Sequence, residues 1–408
     1  MVYQSNSAGL VSYKVQSALG AQSSGSGGTV LRTAGGNGIK LAKAATESNE
    51  VRNDGMRSRG RHGTQKTNSD YTAELSLGSH DGIIEAIMRS TWDSSALTVT
   101  QAAMTSVTTG ANSIIAAAGS WITQGFRVGD IIRPTGLPDA ANNGKNLRLT
   151  GVTASTLTTA ETLVVNASPD TTFSIVRPGK RLINPASLTK RYFTLEEYEA
   201  DIDQSTVLTD FIWSTLKFSM TPDGLIMADP GGVGTGRIEA LSTGNSPLLT
   251  TPTASTGAPM SVVDATIRLG STDLVELTSF DLTLDIGGNA PTVFGSGGIK
   301  YAPDVFNGQM AVSMNLGMLR KDLAMLSNFI AETQLSLHIL AVENETEPKD
   351  FVSIYVPNFT LGSVDPSAFS KEGGGRTQSI SIPAALVGKD ETGGAFDPTM
   401  IKIQTSAA

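Results

Sequence analysis

The chain has no cysteine, so disulfides, thiolate nucleophiles and cysteine-based zinc sites are excluded; this fits assembly in a reducing cytosol. Histidine is nearly as scarce. The three, His62, His80 and His338, fall in a loop, at a helix start and in a strand, with no pair at the i, i+4 spacing of a helical metal site, and each reads as a loop or surface residue. The tryptophans Trp92, Trp121 and Trp213 are too scattered to suggest a sugar-stacking platform. No apolar run approaches the ~18 residues of a membrane span. The opening MVYQSNSAGL lacks the basic and apolar regions of a secretory signal, so a soluble, unprocessed chain is expected. Basic charge is also in deficit: a net charge of −8 argues against an electrostatic nucleic-acid binder, which needs positive surface to displace counterions.

What is present is glycine, 43 of 408 residues, in a background of Ser, Thr, Val and Ala, the profile of short strands and many turns. At ~100–200 residues per domain the chain should hold two to four units. Its organising stretch runs from Glu47 to Trp92: a polar loop, a strand alternating Leu75 and Leu77 with Glu74 and Ser76, then a short amphipathic helix. Ser79 stands where an N-cap is expected, with Asp81 close behind; Ile83, Ile84, Ile87 and Met88 share one face and Glu85 and Arg89 the other.

The runs Glu47-Ser48-Asn49-Glu50-Val51-Arg52, Arg61-His62-Gly63-Thr64, Glu74-Leu75-Ser76 and His80-Asp81-Gly82-Ile83-Ile84-Glu85-Ala86 resemble the tail tube (major tail) proteins of long, non-contractile-tailed bacteriophages. A looser likeness continues from Phe193 to Gly232. The resemblance implies a β-sandwich with a flanking helix, whose inner sheets join between subunits to line a channel.

Internal repetition refines this expectation. Leu77-Gly78 aligns with Leu316-Gly317, each followed by a helical stretch, the second carrying Leu323, Leu326, Phe329 and Ile330. Phe193-Thr194-Leu195 then matches Leu335-Ser336-Leu337, Leu216-Lys217-Phe218 matches Phe359-Thr360-Leu361, and Gly231 matches Gly374, each in a glycine pair or triplet. The large discrepancy is that 115 residues separate Gly78 from Phe193 but only 18 separate Gly317 from Leu335. The expected fold is therefore mainly β: two copies of a tail-tube-type β-sandwich or barrel module, each with one flanking α-helix, plus a small inserted all-β domain. Residues 1–28 read as a flexible arm, 29–94 and 186–240 as the first module, 95–185 as the exterior insertion, 241–258 as a linker, 259–390 as the second module and 391–408 as a tail, with a short strand at Met400–Ile403. A turn is expected at Gly35-Gly36-Asn37-Gly38.

No residues converge on catalysis, a cofactor or a metal. Asn143-Gly144-Lys145 lacks the serine or threonine and the spacing of a phosphate loop, and Gly231–Gly236 reads as a turn. The cluster Glu196, Glu197, Glu199, Asp201 and Asp203 lacks the order of a calcium loop. The loop Ala45–Asn68 carries Arg52, Arg57, Arg59, Arg61, His62 and Lys66 without interleaved aromatics, which favours a protein contact between successive rings. Strand alternation assigns Glu74, Glu196, Asp281 and Asp285 to a channel-facing side, opposite Leu75/Leu77, Phe193/Leu195 and Leu282/Leu284.

The resemblance implies a non-enzymatic virion protein, assembled in the host cytoplasm, whose stacked rings form the conduit for DNA ejection. Two modules per chain point to homotrimeric, pseudo-sixfold rings. The implied partners are further copies of the chain, a tape-measure protein, tail-terminator and baseplate or distal tail proteins, and DNA in transient non-specific passage, with no membrane. The competing expectation is a multi-domain β adhesin or carbohydrate-binding protein, with 95–185 as its binding unit.

Overall fold

Leu282 and Leu284 are buried while Asp281, Thr283 and Asp285 between them are half-exposed, and this period of two governs the long strands. The structure is a computed structural model that describes residues 3–294, 300–371, 373–388 and 394–407. Parts of the expected loop Ile286–Asn307 and of the arm and tail at the two ends lie outside these residues.

In chain order the frame begins with β1 (Gly9–Val15), β2 (Thr29–Leu31), β3 (Thr33–Thr46), β4 (Arg61–Ala73) and helix α1 (Asp81–Ile87). Eight short strands follow: β5 (Leu97–Thr100), β6 (Val107–Gly110), β7 (Ser113–Ala116), β8 (Ile131–Thr135), β9 (Leu147–Val152), β10 (Thr156–Thr159), β11 (Asn166–Asp170) and β12 (Ser174–Arg177). The one-turn helices α2 (Gln101–Met104) and α3 (Trp121–Gln124) lie among them. Then come β13 (Lys180–Ile183), β14 (Phe193–Glu199), β15 (Gln204–Met220) and β16 (Met227–Leu241). The remainder is β17 (Thr266–Leu269), β18 (Thr272–Leu274), β19 (Leu277–Asp285), β20 (Ala311–Leu319), helix α4 (Ala324–Ile330), β21 (Leu335–Val342), β22 (Phe351–Phe359), β23 (Ser363–Pro366), β24 (Thr377–Ile382) and β25 (Lys402–Thr405).

The chain is mainly β, in antiparallel sheets. Strands β5 to β12 make an eight-stranded sheet around their own core of Trp121, Phe126 and Phe173. A six-stranded sheet runs β13-β25-β22-β21-β17-β18. The largest sheet has eleven strands, β2-β1-β14-β15-β19-β20-β24-β23, with β16 on the other edge of β15 and the β4-β3 hairpin beyond it. One apolar core, including Phe193, Trp213, Phe218, Leu282 and Ile380, spans both halves of the chain.

The same succession of pairings occurs twice. In the first half β1 joins β2 and β14, β14 joins β15, β15 joins β16, β16 joins β4 and β4 joins β3. In the second half β17 joins β18 and β21, β21 joins β22, β23 joins β24, β24 joins β20 and β20 joins β19. The register even slips at matching places, between Phe193 and Leu195 and between Leu335 and Leu337. These slips put Phe211, opposite Phe193, in the place of Phe359, opposite Leu335, so the expected match of Leu216 with Phe359 is out by five residues. Likewise Gly231–Gly234 lie inside β16 rather than in a turn, where a Cβ at Gly232 would meet Phe211 Cζ at 2.2 Å.

Four further expectations are corrected. The Gly35–Gly38 segment does not reverse the chain: its positive-φ glycines form bulges within β3, and a Cβ on Gly36 would strike Tyr71 Cα at 2.6 Å. Ser79 does not cap α1; His80 holds that place without a side-chain hydrogen bond to the helix, and Ser79 Oγ instead closes the preceding turn by donating to Ser76 O at 2.7 Å. The face of α1 is buried as read, but on α4 Leu323, Phe329 and Ile330 are exposed, while Ala324, Met325 and Asn328 of the same helix line a cavity of about 330 Å³. Segments that flank β5–β12 also hold α1, with no counterpart beside α4 among the described residues: Trp92 Nε1 donates to Asp81 O at 3.0 Å, Lys180 pairs with Asp81 at 2.9 Å and Arg191 with Glu85 at 3.2 Å.

Last, the arm and the linker are ordered against each other. β1 lies in the main sheet, and Gly25 and Thr29 bridge to Leu249 and Thr253. Small polar residues bury little, but their backbone groups find partners in a neighbouring chain segment. Glu196 anchors this layer: fully buried, it accepts from Leu248 N and Ser205 Oγ, each at 2.6 Å, and from Leu249 N at 2.8 Å. Glu196→Ala strands those donors and is expected to cost about 3 kcal/mol in urea unfolding. It should also speed hydrogen exchange at Leu248 and Leu249 before exchange elsewhere changes; unchanged exchange there would refute the anchoring role.

Candidate assembly surfaces

β15 is long enough to serve two neighbours along one edge. Its first part pairs with β14, from Gln204 opposite Glu199 to Phe211 opposite Phe193. Its last six residues pair with β19, from Thr215 opposite Asp285 to Met220 opposite Phe280. This β15–β19 join carries the main sheet from the first half into the second. Among the described residues the outer edges of β3 and β23 have no strand partner, while β2, the third terminal strand of this sheet, is bridged at Thr29 by Thr253.

Across the join, the side away from the core shows three rows of facing residues. They are Asp70, Gly231, Thr215 and Asp285; Asp229, Lys217 and Thr283; and Glu74, Met227, Ser219 and Asp281. Glu74, Asp281 and Asp285 therefore share a face, as alternation predicts. Glu196 does not belong to it: the 242–258 segment covers the side that alternation had left open. Asp70 and Asp229 were missed. Asp70 was legible from its alternation with buried Tyr71 and Ala73, whereas Asp229 sits in a glycine-rich stretch without an obvious strand pattern. Lys217 is the lysine of these rows, 3.0 Å from Asp281. Burial pushes the Asp229 carboxyl up and Asp281 adds to this, against the Ala73 N–H and Lys217, leaving it above the usual range.

The β3–β4 hairpin projects past the sheet, its ladder running about 13 Å beyond Gln65. The irregular tip is residues 47–60, so Arg61, His62 and Lys66 stand on strand β4 and only Arg52, Arg57 and Arg59 of the expected contact set are in the loop. The loop's own acids engage two of them: Arg52 Nε donates to Asp54 at 3.0 Å and Arg57 lies 3.4 Å from Glu47. Val51 and Met56 are exposed between the charges.

A second polar cluster is buried. Lys402 on β25, 1% exposed, donates to Val128 O at 2.9 Å and to Asp130 Oδ1 at 2.8 Å, and also pairs with Asp397. Arg181 reaches Asp397 at 3.4 Å and Asp93 at 3.3 Å, and Arg177 reaches Asp93 at 3.3 Å. Burial pushes the Asp397 carboxyl up, but Lys402 and Arg181 outweigh it and hold it below the usual range. Gln404 bonds both Ile131 N and Ile131 O, and Tyr355 of β22 packs into the core of the eight-stranded sheet. The β5–β12 sheet is thus seated on β22 and β25, not tethered alone. Its ends meet: Asp93 and Arg181 exchange backbone hydrogen bonds of 2.9 and 3.0 Å. β13, expected inside the insertion, belongs to the six-stranded sheet.

Two of the three histidines are core residues and not surface ones. His338 is enclosed between Ser353, 2.8 Å from Nε2, and the Tyr355 ring. His80 Nδ1 lies 2.6 Å from Ser79 Oγ. His62 is exposed on β4. Among the described residues no group of three His, Cys, Asp or Glu is placed to hold a metal ion, and no helix is long and apolar enough to cross a membrane.

A family model described as phage tail tube protein matches residues 7–384 of the chain. No curated protein matches it.

Burial lowers the His80 imidazole to about 4, while the unfolded chain titrates near 6.5. Between those values the unfolded state takes up a proton that the folded state refuses, so stability falls as pH drops from 6.5 towards 4. His80→Gln should flatten the decline of thermal midpoint over that window, by up to roughly 2–3 kcal/mol at its lower end; an unchanged slope would refute the assignment.

Proposed function

The chain belongs to the phage tail tube protein family, and from that premise we propose that it builds the tail tube as rings of three chains, each ring containing six similar modules. The role is structural, not enzymatic. The observation that carries the ring proposal is the β15–β19 join: one chain already contains a sheet-to-sheet junction between its halves and, among the described residues, leaves the outer edges of β3 and β23 unpaired. Repeating that junction head to tail closes a ring without unpaired edges. The recurrence of the pairing order supports reading the halves as two copies of one module, and covalent linkage makes every second junction intramolecular.

In this reading the face bearing Asp70, Glu74, Asp229, Asp281 and Asp285 lines the channel and the stacked rings conduct DNA during ejection. Like charge keeps a moving phosphate chain from adhering to the wall. The hairpin tip, with Arg52, Arg57 and Arg59, contacts the next ring, where charge pairs set register more than affinity. Tape-measure protein inside the growing tube and terminator and distal tail proteins at its ends complete the assembly, built in the host cytoplasm and retained in the virion.

Class averages of negatively stained tubes viewed down the axis should show threefold symmetry with an approximate sixfold pattern; six complete chains per ring would overturn the proposal. Reversing Arg57 and Arg59 of the tip to Glu should leave rings but shorten the tubes.

The eight-stranded sheet decorates the exterior. Replacing 97–177 by a short Gly/Ser bridge is geometrically mild, since Asp93 and Arg181 already pair. Because the deletion removes Asp130, it is best combined with Lys402→Met, which relieves the cation left short of a partner. The variant should still assemble; a folded variant that makes no tubes would place the domain in the wall.

A further inference from the structure

This inference rests on the tube reading and specifies the joint between chains. The join inside the chain is a template whose register carries over residue by residue. Phe211 and Phe359 occupy matching places, opposite the matching register slips. Four residues on, Thr215, Leu216, Lys217 and Phe218 therefore correspond to Ser363, Val364, Asp365 and Pro366. The pairing ladders carry this correspondence to the other strand. Thr215 faces Gly231, which faces Asp70; Ser363 faces Ser381, which faces Asn315. Asp70 thus corresponds to Asn315, and the next residues, Ser69 and Met314, face Ile39 and Leu282. Ile39, Lys40, Leu41 and Ala42 on β3 hence stand where Leu282, Thr283, Leu284 and Asp285 stand on β19.

We propose that β23 of one chain pairs antiparallel with β3 of the next in this register: Ser363 opposite Ala42, Val364 opposite Leu41, Asp365 opposite Lys40 and Pro366 opposite Ile39. Three features that played no part in the derivation agree with it. Opposite charges meet at Asp365 and Lys40, both exposed in the single chain. Apolar residues meet at Val364 and Leu41, the latter 41% exposed among the described residues. The joint ends where it must, because Pro366 has no N–H to give and the Ile39 N–H is already donated to Glu197 Oε1 at 2.8 Å. A register moved by one residue would face Lys40 with Pro366 or Val364 and turn every side chain to the other side.

The absence of cysteine makes the test clean, since only introduced thiols can react. In assembled tubes of the Ser363→Cys/Ala42→Cys variant, mild oxidation should give reducible cross-links between chains, with a ladder that ends at three chains. The shifted pair Ser363→Cys/Leu41→Cys should cross-link roughly tenfold less. Tubes in which the shifted pair reacts as well, or in which neither pair links chains, overturn the register while leaving the tube reading intact; unmodified protein that never forms rings overturns the tube reading itself. Should the cysteine variants fail to fold, Lys40→Asp and Asp365→Lys provide the second measurement. Each alone should lower tube yield about fivefold and the two together restore it; no recovery in the double variant overturns the proposal.

Discussion

The architecture depends on one shared edge. β15 presents the same side first to β14 and then to β19, and the change of partner coincides with two register slips against β16, between Thr209 and Phe211 and between Trp213 and Thr215. At the first of them Asp210 takes a φ of 61°, held by Arg237 at 2.9 Å and by the Gly20 N–H at 2.6 Å. A non-glycine residue in this region costs on the order of 1 kcal/mol or more unless its surroundings enforce it. The enforcement extends inward: Phe211 and Trp213 stack edge to face at 4.9 Å, with Tyr13 from β1 and Tyr71 from β4 on the same indole. Strands from both ends of the first half therefore fix the bend that passes the sheet to the second half. Without that bend there would be neither a common core nor a continuous row of carboxylates.

Local patterns were a sound guide wherever a residue's neighbours in sequence decide its surroundings. Leu75, Phe193, Leu195, Leu282 and Leu284 are core residues because alternation puts them there. The inward face of α1 follows in the same way from the spacing of Ile83, Ile84 and Ile87. The failures share one cause: a distant segment alters the surroundings of a correctly read element. Glu196 does point away from Leu195, yet residues 246–249 cross that side and turn a surface position into an interior one. His338 lies on a strand as read, but β22 and β25 enclose it. On α4 the reverse happens, for an apolar stripe as convincing as that of α1 has nothing laid over it. Glycine was ambiguous for another reason: the freedom that permits a turn also permits a bulge in Gly35–Gly38 or close packing at Gly232, and only the partner strand distinguishes them.

The buried charges around Lys402 serve orientation more than stability. A desolvated ion cluster gains little over an apolar contact of the same size, but it tolerates few geometries because every charge must find its partners. Asp130 comes from the eight-stranded sheet, Lys402 and Asp397 from the C-terminal part of the chain, and Arg181 and Asp93 from the base of the insertion. Three distant parts of the sequence are thereby fixed at one angle, which a purely apolar contact around Tyr355 would leave freer to slide.

Trp92, Lys180 and Arg191 sit at the base of the insertion yet also form the roof of α1. That double employment has an evolutionary consequence. The far end of a domain carried on a surface loop is readily dispensed with, but an excision that takes this stem also removes the partners of Asp81 and Glu85 on α1. Loss then requires compensating changes in the host, while change at the far end of the domain stays cheap. Divergence among descendants of this chain should accordingly concentrate at the tip of the eight-stranded sheet, with its stem retained beside α1.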